Sequence, residues 1–240
     1  MKHYALIGRS LGHSFSRDFF TAYFEENQIN ADYSNLELME IDQFNAEKLK
    51  FDGFNVTIPY KESIILFLDE MDSVAAEVGA VNTIKIQGGK TIGYNTDVIG
   101  FANMIKPFLT NKHERALIFG TGGASKAVQH VLENLGIDCC FVSREQQREN
   151  VFSYDDVNDL MVRAFKLIIN TTPVGMYPNV DEVLEIPYYS ITDEHLVIDL
   201  IYNPDKTEFL KRSEEQGATV LNGLSMLKEQ AIAAYKIWNE

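Results

Sequence analysis

The sequence predicts an α/β fold, and three observations carry the prediction. Strand-like and helix-like segments alternate from one end of the chain to the other. A glycine-rich turn, Gly120-Thr121-Gly122-Gly123, joins a short apolar run to a long amphipathic one. A polar stretch, Thr110-Asn111-Lys112-His113-Glu114-Arg115, separates two such halves and is the best boundary candidate. With 240 residues, the chain has room for one large domain or two compact ones at roughly 100–200 residues each.

The elements follow in order. Tyr4–Ile7 reads as a first strand, and Phe19, Phe20, Tyr23 and Phe24 supply the apolar face of a first helix. Phe54–Ile58 is a short buried-strand pattern, ended by Pro59 and followed by the helix-prone Lys61–Leu68. Val81–Ile86 and Thr91–Asn95 flank Gly88-Gly89-Lys90 and read as a hairpin. Behind Asp97, residues Val98, Phe101, Ala102 and Ile105 share one helical face. Beyond the boundary, Ala116–Phe119 is a strand, and Ala124, Ala127, Val128, Val131, Leu132 and Leu135 form a long stripe. Gly136 stands where a left-handed helix cap belongs. Asp138–Val142, Leu167–Ile169, Leu196–Ile201 and Thr219–Leu221 are further strands, and Ser225–Trp238 is a last helix.

Composition narrows the function. Lys and Arg number 21 against 35 Asp and Glu, a formal charge of −14. That balance argues against binding nucleic acid or an anionic membrane through the overall field, so an anionic ligand must be held by local donors. No stretch approaches the ~20 apolar residues of a membrane span, and the N-terminal apolar run is too short for a secretory signal. The two cysteines, Cys139 and Cys140, are neighbours pointing to opposite faces of a strand, which gives no disulfide and no sign of an oxidising compartment. The five histidines fall in no metal-binding pattern, so no metal is expected. The expected location is the cytoplasm.

The glycine loop has the context of a dinucleotide site, since a strand precedes it and a helix follows. Gly120 allows a tight turn, Gly122 lets backbone approach a pyrophosphate, and Ser125 takes the place of the third glycine. A ligand-free glycine turn would share these residues, but strand, helix and register together favour binding. The next strand ends Phe141-Val142-Ser143-Arg144, with Arg148 close behind. Guanidinium groups there suit a 2′-phosphate, where an NAD site would place an acid, so the expected cofactor is NADP. Glu145, beside Arg144, pulls in the other direction.

A second set of polar residues lies in the first half. Ser14 and Ser16 flank the start of the first helix, where Ser16 suits an N-cap and two hydroxyls could receive a carboxylate. Asn55 and Thr57 alternate with apolar residues in a buried strand, and Asn82 interrupts another apolar pattern. Lys61 opens a predicted helix, where the dipole disfavours a cation and would lower its proton affinity for acid–base work. Asp97 sits at a helix-cap position, and Gln230 edges the last helix's apolar stripe. Together these residues make a proton-transfer pair surrounded by amide and hydroxyl donors, a set suited to a polyhydroxy acid.

At these positions the sequence resembles shikimate dehydrogenases along nearly its whole length. The likeness is carried by His13-Ser14-Phe15-Ser16, Asn55-Val56-Thr57-Ile58-Pro59-Tyr60-Lys61, Gly79-Ala80-Val81-Asn82-Thr83 and Asn95-Thr96-Asp97. It continues through Gly120–Ala124, Asn170-Thr171-Thr172-Pro173-Val174-Gly175-Met176, Tyr202-Asn203-Pro204 and Asn222-Gly223-Leu224-Ser225-Met226-Leu227. The resemblance implies NADPH-dependent, reversible reduction of 3-dehydroshikimate to shikimate in aromatic amino-acid biosynthesis. It implies an N-terminal α/β substrate domain over residues 1–110, with the helix at 225–240 packing back on it. Residues 111–224 would form a Rossmann-type, doubly wound parallel-sheet NADP domain. Ser14 and Ser16 would hold the carboxylate; Asn55, Thr57, Asn82 and Gln230 the ring hydroxyls; Lys61 and Asp97 the proton; and Tyr202 would line the pocket. Gly120, Thr121, Gly122, Gly123, Ala124, Ser143, Arg144 and Arg148 would hold the cofactor, with Leu200 and Gly223 near the nicotinamide.

The sequence departs from the family at Arg17, where a proline is common, and at Ser143-Arg144-Glu145, where Asn-Arg-Thr is usual. Expected partners are the small-molecule acid and no nucleic acid or membrane, with the chain a monomer or homodimer. Competing readings are a quinate/shikimate dehydrogenase preferring NAD and a non-catalytic ligand-binding regulator of the same fold. A serine hydrolase built on Gly123-Ala124-Ser125-Lys126-Ala127 is disfavoured, because only His130 and His195 follow it as candidate bases.

Overall fold

The computed structural model describes residues 1–12, 15–144 and 150–240. The described chain divides into two compact units, Met1–Ile99 with Glu229–Glu240, and Gly100–Lys228.

In the first unit the strands are β1 (Lys2–Gly8), β2 (Ala31–Glu37), β3 (Gly53–Val56), β4 (Glu70–Met71), β5 (Thr83–Gln87) and β6 (Lys90–Tyr94). They form one sheet in the order β2-β1-β3-β5-β6-β4. β1 runs parallel to both neighbours, while β3, β5 and β6 are joined antiparallel, the last two as the expected hairpin. The helices are α1 (Phe15–Glu26), α2 (Phe44–Glu47) and α3 (Ser73–Val78), and α4 (Asp97–Ile105) starts in this unit and continues into the second. Apolar residues of β1 are buried on both faces, as a central parallel strand requires. Ala5 and Ile7 pack with Phe54, Val56 and Ile84 on one side. Tyr4 and Leu6 pack with Phe20 and Phe24 of α1 and with Tyr33 on the other, where Ala231, Ala234 and Trp238 of the last helix join them.

Two sequence expectations fail here for physical reasons. Lys61–Leu68 does not form an α-helix: Ser63–Phe67 is a short 3₁₀ segment, and Lys61 lies in the turn before it. Within that segment only Ile64 is fully buried, and Leu66 is 86% exposed. A five-residue segment with one anchoring side chain gives too little burial to sustain an α-helix. β2 escaped notice because Ala31-Asp32-Tyr33-Ser34-Asn35-Leu36-Glu37 is polar, with Tyr33 its one buried residue.

The second unit has strands β7 (Arg115–Phe119), β8 (Asp138–Val142), β9 (Val151–Phe152), β10 (Leu167–Asn170), β11 (Leu196–Asp199) and β12 (Thr219–Leu221). Its helices are α5 (Gly123–Asn134), α6 (Asp159–Ala164) and α7 (Glu208–Glu215), and α8 (Leu224–Asn239) ends the chain. All pairings are parallel in the order β12-β11-β10-β7-β8-β9. Numbered within the unit, that is 6-5-4-1-2-3, the doubly wound dinucleotide-binding order, and its direction reverses between β7 and β10. Gly136 takes φ +76° just past α5, the left-handed cap the sequence predicted.

Asp199, at the end of β11, is fully buried. It accepts hydrogen bonds from the Thr207 hydroxyl (2.6 Å), the Ile201 N–H (3.0 Å) and the Asn170 amide (3.1 Å). Burial raises its pKa to about 6, and those three bonds only partly oppose the rise. Because the folded-state pKa exceeds the ordinary 3.8, the associated stability is complete below that value and lost as pH rises through about 6. The loss amounts to about 3 kcal/mol. Asp199→Asn, which keeps the shape without the charge, is therefore expected to raise the unfolding midpoint near pH ~8 and to change it little near pH ~4. Parallel thermal melts at the two pH values check this.

Candidate active site

A buried polar cluster occupies the first unit at the ends of β3, β5 and β6. Backbone bonds set its positions: the Val56 N–H donates to the Asn82 carbonyl (2.8 Å), and the Val81 N–H to the Lys61 carbonyl (2.7 Å). The second bond pins the turn carrying Lys61 beside the approach to β5. The hairpin then brings Asn95-Thr96-Asp97, which follow β6, alongside the same turn.

Lys61 Nζ donates to Asp97 Oδ2 at 2.7 Å, with the two side chains 17% and 7% exposed. Asp97 is the first residue of α4, not its cap; the Val98 N–H turns instead to Asn95 Oδ1 at 3.4 Å. The carboxylate is thus left to Lys61. The helix-dipole argument for Lys61 has no basis in the fold, since no α-helix starts there; what the ammonium group meets is Asp97.

Around this pair the amides are directional. Asn82 Oδ1 accepts from the Thr96 N–H (2.7 Å), the Thr96 hydroxyl (3.1 Å) and the Thr83 hydroxyl (3.2 Å). Its amide nitrogen donates to Gln230 Oε1 at 3.3 Å. Asn55 donates to the Asn82 carbonyl (3.3 Å) and to Thr83 Oγ1 (3.2 Å), and its Oδ1 accepts from the Tyr33 hydroxyl (2.8 Å). Both amide protons of Asn55 are therefore taken by the protein itself. Thr57 is half-buried just past β3, its N–H held by the Ile7 carbonyl at 2.9 Å. Ser16 lies in the first turn of α1, buried, and not at the cap position. Ser14 is outside the described residues. Sequence reasoning assigned no role to Tyr33, Thr83, Thr96 or Asn95. The last three stand inside motifs it had noticed, whereas Tyr33 sits in the strand it missed.

In the second unit, the glycine loop follows β7 at the point where strand order reverses. Gly120 has φ +101°, and a Cβ there would come within 2.7 Å of Thr171 Oγ1. Gly122 precedes α5 in an extended conformation with no side-chain cap, and a Cβ on it would meet nothing within 4 Å. The first-turn N–H groups of α5 thus lack a capping side chain, as a pyrophosphate site requires. Thr121 is exposed, Gly123 and Ala124 open the helix, and the buried Ser125 donates its hydroxyl to the Gly122 carbonyl at 2.6 Å. Leu200 and Gly223 are brought together: a Cβ on Gly223 would run into the Leu200 carbonyl. Ser143 follows β8 with its N–H on the Phe152 carbonyl (2.9 Å), and Arg144 comes next, exposed. Arg148 lies outside the described residues. Tyr202 belongs to this unit, half-buried beyond β11. These residues fit a dinucleotide, since the loop is open to a phosphate group.

One unit carries a dinucleotide loop and the other a buried lysine–carboxylate pair, a division of labour that defines a two-domain, nicotinamide-dependent dehydrogenase. Residues 6–84 match the family described as the shikimate dehydrogenase substrate binding domain. The chain is 39% identical to the shikimate dehydrogenase (NADP(+)) of Methanococcus maripaludis, over 97% of this chain and 90% of the relative. It is similar to the crystal structure of shikimate dehydrogenase from Aquifex aeolicus, with a TM-score of 0.89, 35% identity and coverage of 100% and 92% of the two chains. It is similar also to the Thermus thermophilus shikimate 5-dehydrogenase solved with NADP(H) and shikimate (TM-score 0.87, 27% identity, 99% and 93% coverage). The chain belongs to the shikimate dehydrogenase family.

Proposed function

We propose that this chain catalyses the reversible, NADP-dependent reduction of 3-dehydroshikimate to shikimate on the route to the aromatic amino acids. The observation that carries the reading is the Lys61–Asp97 pair, 2.7 Å apart inside a frame of oriented amides and hydroxyls. Bound NADPH supplies the hydride. Lys61 supplies the proton: its ammonium group stabilises the alkoxide that develops on the ring oxygen and then protonates it. Asp97 holds Lys61 in place and accepts a hydrogen bond from the hydroxyl at the neighbouring position of the ring.

Asn82 has its carbonyl fully engaged, so it offers a ligand N–H and no acceptor, which suits a hydroxyl oxygen. Gln230 supports that donor, and Thr57 offers a hydroxyl at the mouth of β3. Asn55 acts through the frame, its amide being engaged inward. Ser14 and Ser16 hold the carboxylate at the start of α1, where helix polarity favours an anion. Residues 1–110 with the C-terminal helix form the substrate part and 111–224 the NADP part, where Gly120–Ala124, Ser143, Arg144 and Arg148 hold the cofactor. Leu200 and Gly223 lie near the nicotinamide, and Tyr202 lines the substrate pocket. The two cysteines are free thiols, in keeping with a cytoplasmic setting.

The test is the change in nicotinamide absorbance when shikimate is mixed with NADP, crossed with quinate and with NAD. Shikimate with NADP should be the fastest combination. Faster turnover of quinate or of NAD would move the chain to the quinate/shikimate dehydrogenases, and binding of both ligands with no turnover would make it a regulator.

A further inference from the structure

One threonine lies against the oxygen ends of two amides that the proposed reaction uses as separate ligand donors. Thr96 follows β6, immediately before Asp97, and is fully buried. Its N–H donates to Asn82 Oδ1 at 2.7 Å, and its Oγ1 stands 3.1 Å from the same atom and 3.4 Å from Gln230 Oε1. Asn82 and Gln230 are buried as well, and all three residues belong to the first unit, Gln230 reaching them from α8.

The bonding identifies the two ends of each amide, which are alike in shape. A backbone N–H can only donate, so the Asn82 atom that meets it is oxygen and the other branch is nitrogen. That nitrogen donates to Gln230 at 3.3 Å, so the Gln230 atom facing it is also oxygen, and the Gln230 N–H protons lie on the other branch. Asn82 Oδ1 has two lone pairs for three neighbouring donors. The Thr96 N–H and the Thr83 hydroxyl (3.2 Å) fill them, which leaves the Thr96 hydroxyl for Gln230 Oε1. Thr83 Oγ1 also stands 3.1 Å from Thr96 Oγ1, so the two hydroxyls form one chain that ends on the two amide oxygens. We propose that Thr96 is a positioning residue of the substrate site, its N–H orienting the Asn82 amide and its hydroxyl the Gln230 amide, so that both turn N–H groups to the ring hydroxyls. The inference rests on Asn82 and Gln230 as holders of those hydroxyls. A hydroxyl that accepts from these amides directs its own proton elsewhere, and Asp97, the next residue in the chain, supplies an acceptor.

The experiment compares wild type, Thr96→Val, Thr96→Ser, Gln230→Ala and the double variant Thr96→Val with Gln230→Ala, with thermal melts alongside the kinetics. Thr96→Val keeps the branched shape and the backbone N–H and removes only the hydroxyl. Its shikimate KM should rise about threefold to tenfold, with kcat and the KM for NADP within about twofold of wild type. Thr96→Ser, which keeps the hydroxyl, should stay within about twofold of wild type in shikimate KM. The double variant should bind shikimate about as weakly as Gln230→Ala alone, because the hydroxyl acts through the amide that is already gone. Thr96→Ala, which also lacks the hydroxyl, should show the same KM rise and carries the comparison where Thr96→Val does not fold. An unaltered shikimate KM in the variants without the hydroxyl overturns the proposal. So does an equal loss in Thr96→Ser, or a double variant whose loss is the product of the single losses. A wild-type chain that turns over no shikimate overturns the functional reading and this inference with it, whereas an active wild type with an unaltered KM in Thr96→Val overturns this inference alone.

Discussion

Lys61→Ala is expected to lower kcat for shikimate oxidation by about 10²- to 10⁴-fold, the usual contribution of a positioned proton-transfer group. Shikimate should still bind, because the amides and hydroxyls proposed to recognise the ring are held by each other and not by Lys61. Asn82 is fixed by Thr83 and Thr96, and Asn55 by Tyr33 and Thr83. The loss should therefore appear in kcat more than in KM, the signature of an interaction made mainly in the transition state. The substitution also leaves the Asp97 carboxylate, 7% exposed, without its partner. An uncompensated buried charge destabilises, so thermal melting and direct shikimate binding must accompany the kinetics. Lys61→Met, which keeps the apolar stem, should show the same kcat loss with less effect on the melt. An unchanged kcat in either variant removes Lys61 from the mechanism.

The parts of the fold most legible in the sequence are those whose residues face apolar surroundings on both sides. β7, β10 and β11 sit within the parallel sheet of the second unit, and continuous runs such as Ala116–Phe119 and Leu167–Ile169 follow from burial on both faces. Two edge strands gave no such signal. β2 presents one buried tyrosine among polar residues, and β9 spans only Val151–Phe152. The Ser63–Phe67 segment misled for the opposite reason, since its apolar run looks helical while only Ile64 is held in the core.

The site was legible to different depths. The glycine loop could be argued from physical chemistry alone, because strand, turn and helix are contiguous. The Lys61–Asp97 contact could not, since 36 positions separate the residues. Their meeting depends on the β5–β6 hairpin and on the bond from the Val81 N–H to the Lys61 carbonyl. Family motifs named both residues, but spacing gave no distance between them. The contact of Tyr33 with Asn55 was not legible by either route, because it arises only when β2 and β3 are laid on either side of β1.

The loop glycines permit a contrast that separates fold from cofactor affinity. In Gly120→Ala, the added Cβ must tolerate φ +101° and meets Thr171 Oγ1 at 2.7 Å and Thr172 Cγ2 at 3.0 Å. Thr171 cannot easily withdraw, for its hydroxyl donates to the Phe119 carbonyl at 2.6 Å and its N–H to the same oxygen at 2.9 Å. Backbone strain of this kind costs about 1–3 kcal/mol before the displaced threonine is counted. Gly120→Ala should therefore lower the unfolding midpoint and weaken NADP binding together. Gly122→Ala differs in kind: its backbone is extended and its Cβ would point into open space, so the folded chain alone should be as stable as wild type. What the methyl group occupies is the approach to the first-turn N–H groups of α5, where a pyrophosphate would lie. The expected result is an unchanged melt without cofactor, with a Kd for NADP raised about tenfold or more and the stabilising shift on adding NADP reduced accordingly. Shikimate binding should be unaffected in both variants, because its proposed contacts other than Tyr202 lie in the first unit. If Gly122→Ala binds NADP as tightly as wild type, the pyrophosphate does not sit on this loop.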